Sequence, residues 1–431
     1  MKKILYIVLD GLGDLPTPQI HNKTPLEAAQ TPNMDMLAKD ARMGYVYTVG
    51  KGIAPESDIA VISILGYDAS KYYTGRGPLE SYAEGLKVDD GDLAFRVNFA
   101  TMEDEASDRI KDRRVGRNLT TEEAAALSAE INNNLKLKKP ASFIFKNTIG
   151  HRGVLVIYSG DKTILSADIT NTDPAYAKEG AFGIALPEFE KLLLKSKPVE
   201  GKENDPVCIL SAELINEFTE KARVVLGNSE VNKKRIKEGK LPANVIISRD
   251  AGNGLPKFAK IGQLYNIRMG CFVEMPVEKG IALLTGMEVV DIPPPSGNLK
   301  DDYILRAEKV KEAMESYDGL YIHIKGPDEP AHDGDIKGKI ASIEAIDKFF
   351  FAELLSKINL KDVVIAVTAD HSTPCIKKAH TDDPVPFMLV STGQKPDGIE
   401  SFSESNSKKG SIGEIKGTQI MPLLAEAAKQ K

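Results

Sequence analysis

The sequence predicts an α/β protein: a core parallel sheet with helices on both faces, plus an inserted smaller domain of α/β or α+β type. Three observations lead there. First, three short apolar, β-rich runs share one design. Residues 4–9 (Ile-Leu-Tyr-Ile-Val-Leu) lead into Asp10-Gly11, residues 319–325 (Gly-Leu-Tyr-Ile-His-Ile-Lys) into Gly326-Pro327-Asp328, and residues 363–368 (Val-Val-Ile-Ala-Val-Thr) into Ala369-Asp370-His371. Unbroken apolar runs suit strands buried on both faces of a parallel sheet. Second, helical patterns separate these runs. Third, the stretch from 82 to 270 has strand-like runs without acidic ends of that type, and carries arginines instead.

In chain order, the first strand is residues 4–9. Thr31-Pro32 opens a helix, with Thr as N-cap and Pro at the first helical position. Pro55 and Glu56 fit the first turn of a helix that runs to Leu65 and is closed by Gly66. In the middle stretch, strands are expected at 93–100, 142–146, 154–158 and 245–248, and Thr120-Thr-Glu-Glu123 is a capping box opening a helix. Beyond it, residues 302–317 form a helix of mixed charge. Residues 335–358 form a long one, with Ile336, Ile340, Ile343 and Phe350 along one side. Residues 403–411 read as a polar loop. The chain of 431 residues is long enough for two or three units at ~150 residues each. We place a discontinuous core at 1–81 with 271–431, and the insert at 82–270.

Composition narrows the function. Apolar residues make up 42%, charged residues 27%, and the net charge is −6, so no global field attracts nucleic acid. The basic runs at 111–114 and 233–235 are local. The apolar run after Met1-Lys2-Lys3 is too short for a signal peptide. No run elsewhere approaches the ~20 residues of a membrane span. Cys208, Cys271 and Cys375 are odd in number and widely spaced, which suits neither a disulfide framework nor a metal knuckle. A reduced, cytoplasmic protein is expected, with no nucleic acid or membrane partner. Sequence does not set the oligomeric state; a homo-oligomer is compatible.

Ligands in open α/β sheets bind at the carboxyl ends of strands, where the three acidic turns would meet. Asp328-x-x-x-His332 can bind one cation. Asp370 and His371 are adjacent and point to different sides, which suggests a second ion. His380 follows in a loop with Asp382 and Asp383, and Asp10 comes from the first strand. Carboxylates with imidazoles suit Mn²⁺, Mg²⁺ or Zn²⁺. Ser57 sits at a helix start, where unpaired N–H groups and the dipole favour an anion, so it is a candidate nucleophile. Taken singly, each of these residues is as readily a cap or turn residue.

The chain resembles the archaeal-type, cofactor-independent (2,3-bisphosphoglycerate-independent) phosphoglycerate mutases of the alkaline phosphatase superfamily. The matching stretches are 7–14, 57–67, 73–80 (Tyr-Thr-Gly-Arg-Gly-Pro-Leu-Glu), 96–101 (Arg-Val-Asn-Phe-Ala-Thr), 112–117, 151–153, 323–328 (His-Ile-Lys-Gly-Pro-Asp) and 368–373 (Thr-Ala-Asp-His-Ser-Thr). The resemblance spans most of the chain and implies an alkaline-phosphatase-like core sheet. It implies one metal held by Asp328, His332 and His380, and another held by Asp10, Asp370, His371 and the Ser57 oxygen. The ions would be Mn²⁺, with Mg²⁺, Zn²⁺ or Co²⁺ compatible. It implies interconversion of 3- and 2-phosphoglycerate through a phosphoserine at Ser57, without 2,3-bisphosphoglycerate. Glu56 stands where a small residue is expected before the nucleophile. In the insert, Arg113, Arg114, Arg117, Arg152 and Arg249 are candidates for carboxylate and phosphate, because guanidinium binds both bidentately. Asp112 and His151 are candidates for glycerate hydroxyls, and Arg76 and Lys279 for the phosphoryl group. The rivals are a metal-dependent phosphomonoesterase of the same superfamily, a phosphopentomutase, and a metal-stabilised binding protein without catalysis.

Overall fold

Two strands open the chain, β1 (Lys3–Leu9) and β2 (Ala41–Tyr47). The middle contributes β3 (Leu93–Met102), β4 (Ile110–Asp112), β5 (Ser142–Asn147), β6 (Arg152–Tyr158), β7 (Tyr176–Glu179), β8 (Phe182–Ala185) and β9 (Val245–Gly252). The last part adds β10 (Met269–Phe272), β11 (Glu288–Val289), β12 (Gly319–Ile324), β13 (Val363–Thr368), β14 (Val385–Ser391) and β15 (Gly413–Lys416). The computed structural model describes residues 1–104, 107–180, 182–186 and 188–430.

The chain divides into two units, Met1–Tyr72 with Lys257–Lys431, and Tyr73–Pro256. The expected limits at 81 and 271 fall elsewhere for a packing reason. The helix Arg76–Ala83 belongs with the second unit, where its Glu80 pairs with Arg96 of β3. The approach to β10 belongs with the first, because β10 pairs with β12.

The first unit holds one eight-stranded sheet in the order β11-β10-β12-β1-β13-β14-β2-β15. The run from β11 to β13 is parallel, as expected. β14 runs antiparallel to both its neighbours, so the sheet as a whole is mixed. Ile4 to Leu9 and every residue of β12 and β13 are buried without alternation. Successive side chains point to opposite faces, so both faces are covered. β1 lies between β12 and β13, with Val8 opposite His323 on one side and Thr368 on the other. The three carboxyl ends therefore emerge together.

The long helix expected at 335–358 is three contiguous segments, Ile336–Ala345, Ile346–Phe351 and Ala352–Lys357, the middle one a π turn. The polar loop expected at 403–411 instead contains a one-turn helix, Glu404–Ser407, capped by Ser403. Glu404 is buried, accepts hydrogen bonds from the Thr24 hydroxyl (2.7 Å) and the Asp14 N–H (3.2 Å), and is pushed up to about 7 by burial. One turn is too short for apolar periodicity to announce it.

In the second unit, β4-β3-β6-β5 form one sheet, with β9 also pairing β3, and all pairs are antiparallel. That settles α+β over α/β for this unit. One face of the sheet carries Phe95, Val97 and Phe99 into a core closed by the helices Thr121–Asn134 and Pro206–Gly227. Thr120 and Glu123 make both bonds of the expected capping box. Among the described residues, no helix is long and apolar enough to cross a membrane. The three cysteines are free and buried.

Candidate active site: an acidic strand edge and an arginine face

The loops after β1, β12 and β13 bring Asp10, Asp328 and Asp370 together. Gly11 turns with φ +61, and a Cβ there would lie 2.6 Å from Asp328 Oδ1. Only glycine allows that approach. The Gly11 N–H donates to Asp370 Oδ1 at 3.1 Å, fixing the β13 loop against the β1 loop.

Two subclusters form around these carboxylates. In the first, Asp328, His332 and His380 bring ligand atoms within 4.8 Å of one another. His332 Nε2 is 3.3 Å from Asp328 Oδ2, and His380 Nε2 is 3.6 Å from Asp328 Oδ1. His332 Nδ1 donates to the Lys378 carbonyl (3.1 Å) and His380 Nδ1 to the Pro55 carbonyl (2.8 Å). Both Nε2 atoms, 3.2 Å apart, are therefore aimed at one spot, the orientation an outer partner gives to metal-ligating histidine.

The second subcluster centres on His371 Nε2. It lies 3.4 Å from Asp10 Oδ1, 3.3 Å from Asp370 Oδ2 and 3.3 Å from Ser57 Oγ. Asp10 and Asp328 also group with His371 within 4.8 Å, and so does a set the motifs did not suggest, Asp10, His323 and Asp370. Ser57 is the first residue of the helix Ser57–Ile64. Pro55 and Glu56 precede the helix instead of forming its first turn. Glu56 occupies the cap position without capping and is exposed, so its carboxylate stays in water.

The electrostatics fit a cation. Burial disfavours a charged imidazole at His371, but Asp370, Asp10 and Asp328 outweigh it and raise the ring to about 9. His380 is lowered to about 4 by burial and by His371. Burial and the neighbouring Asp10 push Asp370 up. Asp10 Oδ1, Asp370 Oδ2 and His323 Nε2 are buried and make no hydrogen bond among the described residues. Each such group costs ~1–3 kcal/mol, more if charged. Hard oxygen and imidazole donors converging on unsatisfied space are what a divalent ion requires, so the residues present fit it.

Three neighbours escaped the motif reading. Lys325 Nζ lies 2.6 Å from both Asp10 Oδ2 and Glu278 Oε1. Beside them, His323 is fully buried. The ammonium facing Asp10 is thus Lys325, whereas Lys279 is exposed on the helix Pro276–Thr285. A signal existed: His323 and Lys325 are polar residues two apart at the end of an otherwise apolar strand.

In the second unit, arginines occupy the sheet face opposite its core. Arg96 on β3 pairs across strands with Arg249 on β9, and Asn98 pairs with Arg152 on β6. Glu80 lies 2.6 Å from Arg76 and 3.6 Å from Arg96. Asp173 accepts two bonds from Arg113 (2.7 and 2.5 Å) and one from Arg249 (2.7 Å). The Arg249 guanidinium stacks 4.1 Å from the Tyr176 ring centre. Asp112, Arg113, Arg114 and Arg117 line a cavity of about 230 Å³ with Ile110, Lys111 and Lys191. His151 is lowered to about 4, by burial and then by Arg152, Arg114, Arg249 and Arg96. Burial and Arg76 lower Arg96 to about 10, and its Nε and that of Arg249 make no hydrogen bond among the described residues. Arg96, Glu80 and Asp173 were not singled out from sequence.

Comparison with known proteins relates the chain to one family. Residues 38–232 match the family model described as 2,3-bisphosphoglycerate-independent phosphoglycerate mutase. The mutase of that name from Aeropyrum pernix is 43% identical over 97% of this chain and 98% of its own. The one from Thermococcus kodakarensis is 40% identical over 99% and 97%. Among solved structures, a Pyrococcus horikoshii protein superposes with a TM-score of 0.78 at 30% identity, covering 100% of this chain and 98% of its own. The cofactor-independent phosphoglycerate mutase of Thermoplasma acidophilum gives 0.64 at 32%, covering 99% and 100%. With full-length identity of this order, the chain belongs to the 2,3-bisphosphoglycerate-independent phosphoglycerate mutase family.

Proposed function

We propose that this enzyme interconverts 3-phosphoglycerate and 2-phosphoglycerate with Ser57 as the covalent carrier. The observation that carries the proposal is the placement of Ser57 Oγ, at a helix N-terminus and 3.3 Å from His371 Nε2 within the acidic cluster. Ser57 Oγ attacks phosphorus as the bond to the glycerate 3-oxygen breaks. The glycerate stays and turns, and its 2-hydroxyl attacks phosphorus as the Ser57 bond breaks. Because Ser57 carries the phosphoryl group, no 2,3-bisphosphoglycerate is needed.

Asp328, His332 and His380 would hold one divalent ion, and Asp10, Asp370, His371 and Ser57 another. Such ions, with Mn²⁺ the expected one, supply charge neutralisation to the transferring group and favour the ionised serine hydroxyl. The first-turn N–H groups of the Ser57 helix stabilise phosphoryl oxygens. Arg76 keeps its assignment to the phosphoryl group, whereas Lys279 is exposed and Lys325 is the ammonium that faces Asp10. Arg113, Arg114, Arg117, Arg152 and Arg249 hold carboxylate and phosphate, with Asp112 and His151 on the glycerate hydroxyls. The buried free cysteines fit a reducing cytoplasm.

The test is rapid acid quenching of the Mn²⁺-loaded enzyme with phosphorus-labelled 3-phosphoglycerate, without bisphosphoglycerate. Label on Ser57, 2-phosphoglycerate as product, and loss of both in Ser57→Ala are expected. Inorganic phosphate as the main product would favour a phosphomonoesterase. An active Ser57→Ala would remove the carrier.

A further inference from the structure

Thr373 lies two residues beyond His371 and is fully buried. Its backbone is clamped: its N–H donates to the Gly13 carbonyl at 2.9 Å, and its carbonyl accepts from Lys339 Nζ at 2.9 Å. The same ammonium, also fully buried, donates to the Gly13 carbonyl (3.0 Å) and Asp14 Oδ2 (2.8 Å). A hydroxyl on so fixed a backbone has little freedom, and this one touches both subclusters. Thr373 Oγ1 donates to Asp328 Oδ1 at 2.7 Å and lies 2.9 Å from His371 Nδ1.

The direction of these bonds follows from donor counting. A carboxylate only accepts, and a hydroxyl has one proton. That proton goes to Asp328, so the threonine oxygen must accept from His371 Nδ1–H. In the neutral ring, the lone pair is then on Nε2, the atom that faces Asp10, Asp370 and Ser57. One hydroxyl thus orients a ligand atom in each proposed ion group.

We propose that Thr373 is a positioning residue that sets the His371 tautomer and couples the two ion groups through Asp328. The inference rests on the two-ion reading above. Its test is a calorimetric titration of Mn²⁺ into full-length wild type, Thr373→Ser and Thr373→Val. Two ions per chain are expected in wild type and in the serine variant. Thr373→Val should lose ~10–100-fold in affinity at both sites, the usual effect of removing an outer-shell partner. Wild-type affinity in Thr373→Val, or weakening at one site alone, would overturn the coupling. A wild type that binds no Mn²⁺ would instead overturn the two-ion reading. Nitrogen NMR of the Zn²⁺-loaded wild type needs no variant and covers the case of a Thr373→Val that does not fold. His371 protonated on Nδ1 supports the proposal, and protonated on Nε2 overturns it.

Discussion

The two units set a histidine among opposite charges. At the strand edge of the first, carboxylates crowd together and raise His371 to about 9. On the sheet face of the second, burial and then a crowd of arginines lower His151 to about 4. Desolvation lowers both rings: at His371 the carboxylates outweigh it and reverse the sign, whereas at His151 burial is the largest cause and the arginines add to it. Each cluster keeps buried polar atoms that lack a hydrogen bond among the described residues: Asp10 Oδ1 and Asp370 Oδ2 in one, and Arg96 Nε and Arg249 Nε in the other. The acidic edge has the donors to hold cations, and the arginine face carries the positive charge that would suit an anion.

The strongest way to break this comparison is to remove cation ligands. His332→Ala and His380→Ala should each deplete the same ion, because their Nε2 atoms converge on Asp328. His371→Ala should deplete the other. Each should cost more activity than the ~10–100-fold typical of an outer-shell change. Metal content per chain after dialysis checks this. Loss of the same ion in all three variants would collapse the two subclusters into one.

The two sites differ equally in how readable they were. Asp10, Asp328 and Asp370 could be found because a parallel sheet delivers strand ends to one edge, and each end is a local string. The antiparallel β14 was not read from sequence at all; its seven residues are all buried, like those of the parallel β13 beside it. Burial pattern does not encode strand direction. The arginine face is assembled by cross-strand register, as in Arg96 opposite Arg249, 153 positions apart (249 − 96). Nothing local announces such a pair, so Arg249 was proposed but Arg96 and its partner Glu80 were not. Lys325 and Thr373 escaped for another reason: they touch ligands without belonging to a ligand pattern.

A smaller effect is expected from the arginine face, and it sharpens the contrast. Arg113→Ala, Arg114→Ala or Arg249→Ala should damage isomerisation, through weaker retention of glycerate, more than hydrolysis of a small carboxylate-free phosphate ester. Losing a charge-assisted pair costs ~1.5–3 kcal/mol, roughly a tenfold to hundredfold loss of retention. Escaping glycerate leaves Ser57 phosphorylated for water to cleave. The ratio of phosphate released to 2-phosphoglycerate formed should therefore rise. A flat ratio in all three variants would mean that these arginines do not hold the carboxylate.

The smallest effect concerns His151, and it tests the opposite signs directly. Its folded pKa of about 4 lies below the ordinary 6.5. Between these values the unfolded chain binds more protons than the folded one, so stability rises with pH across the window and is lost as pH falls from 6.5 towards 4. Above about 7 the group contributes no slope. His151 keeps considerable solvent contact, so solvent screening reduces the effect to ~1 kcal/mol or less. His151→Gln should flatten the acid limb of a denaturant-midpoint profile by that amount. Binding 3-phosphoglycerate brings negative charge against Arg152, Arg114, Arg249 and Arg96, so the ring should become easier to protonate. NMR titration of the His151 ring, with and without ligand, reads both effects. A pKa near 6.5 in the free enzyme would mean that His151 is neither desolvated nor exposed to the field of the arginines. A ligand that leaves the value at 4 would place the bound anion away from this face.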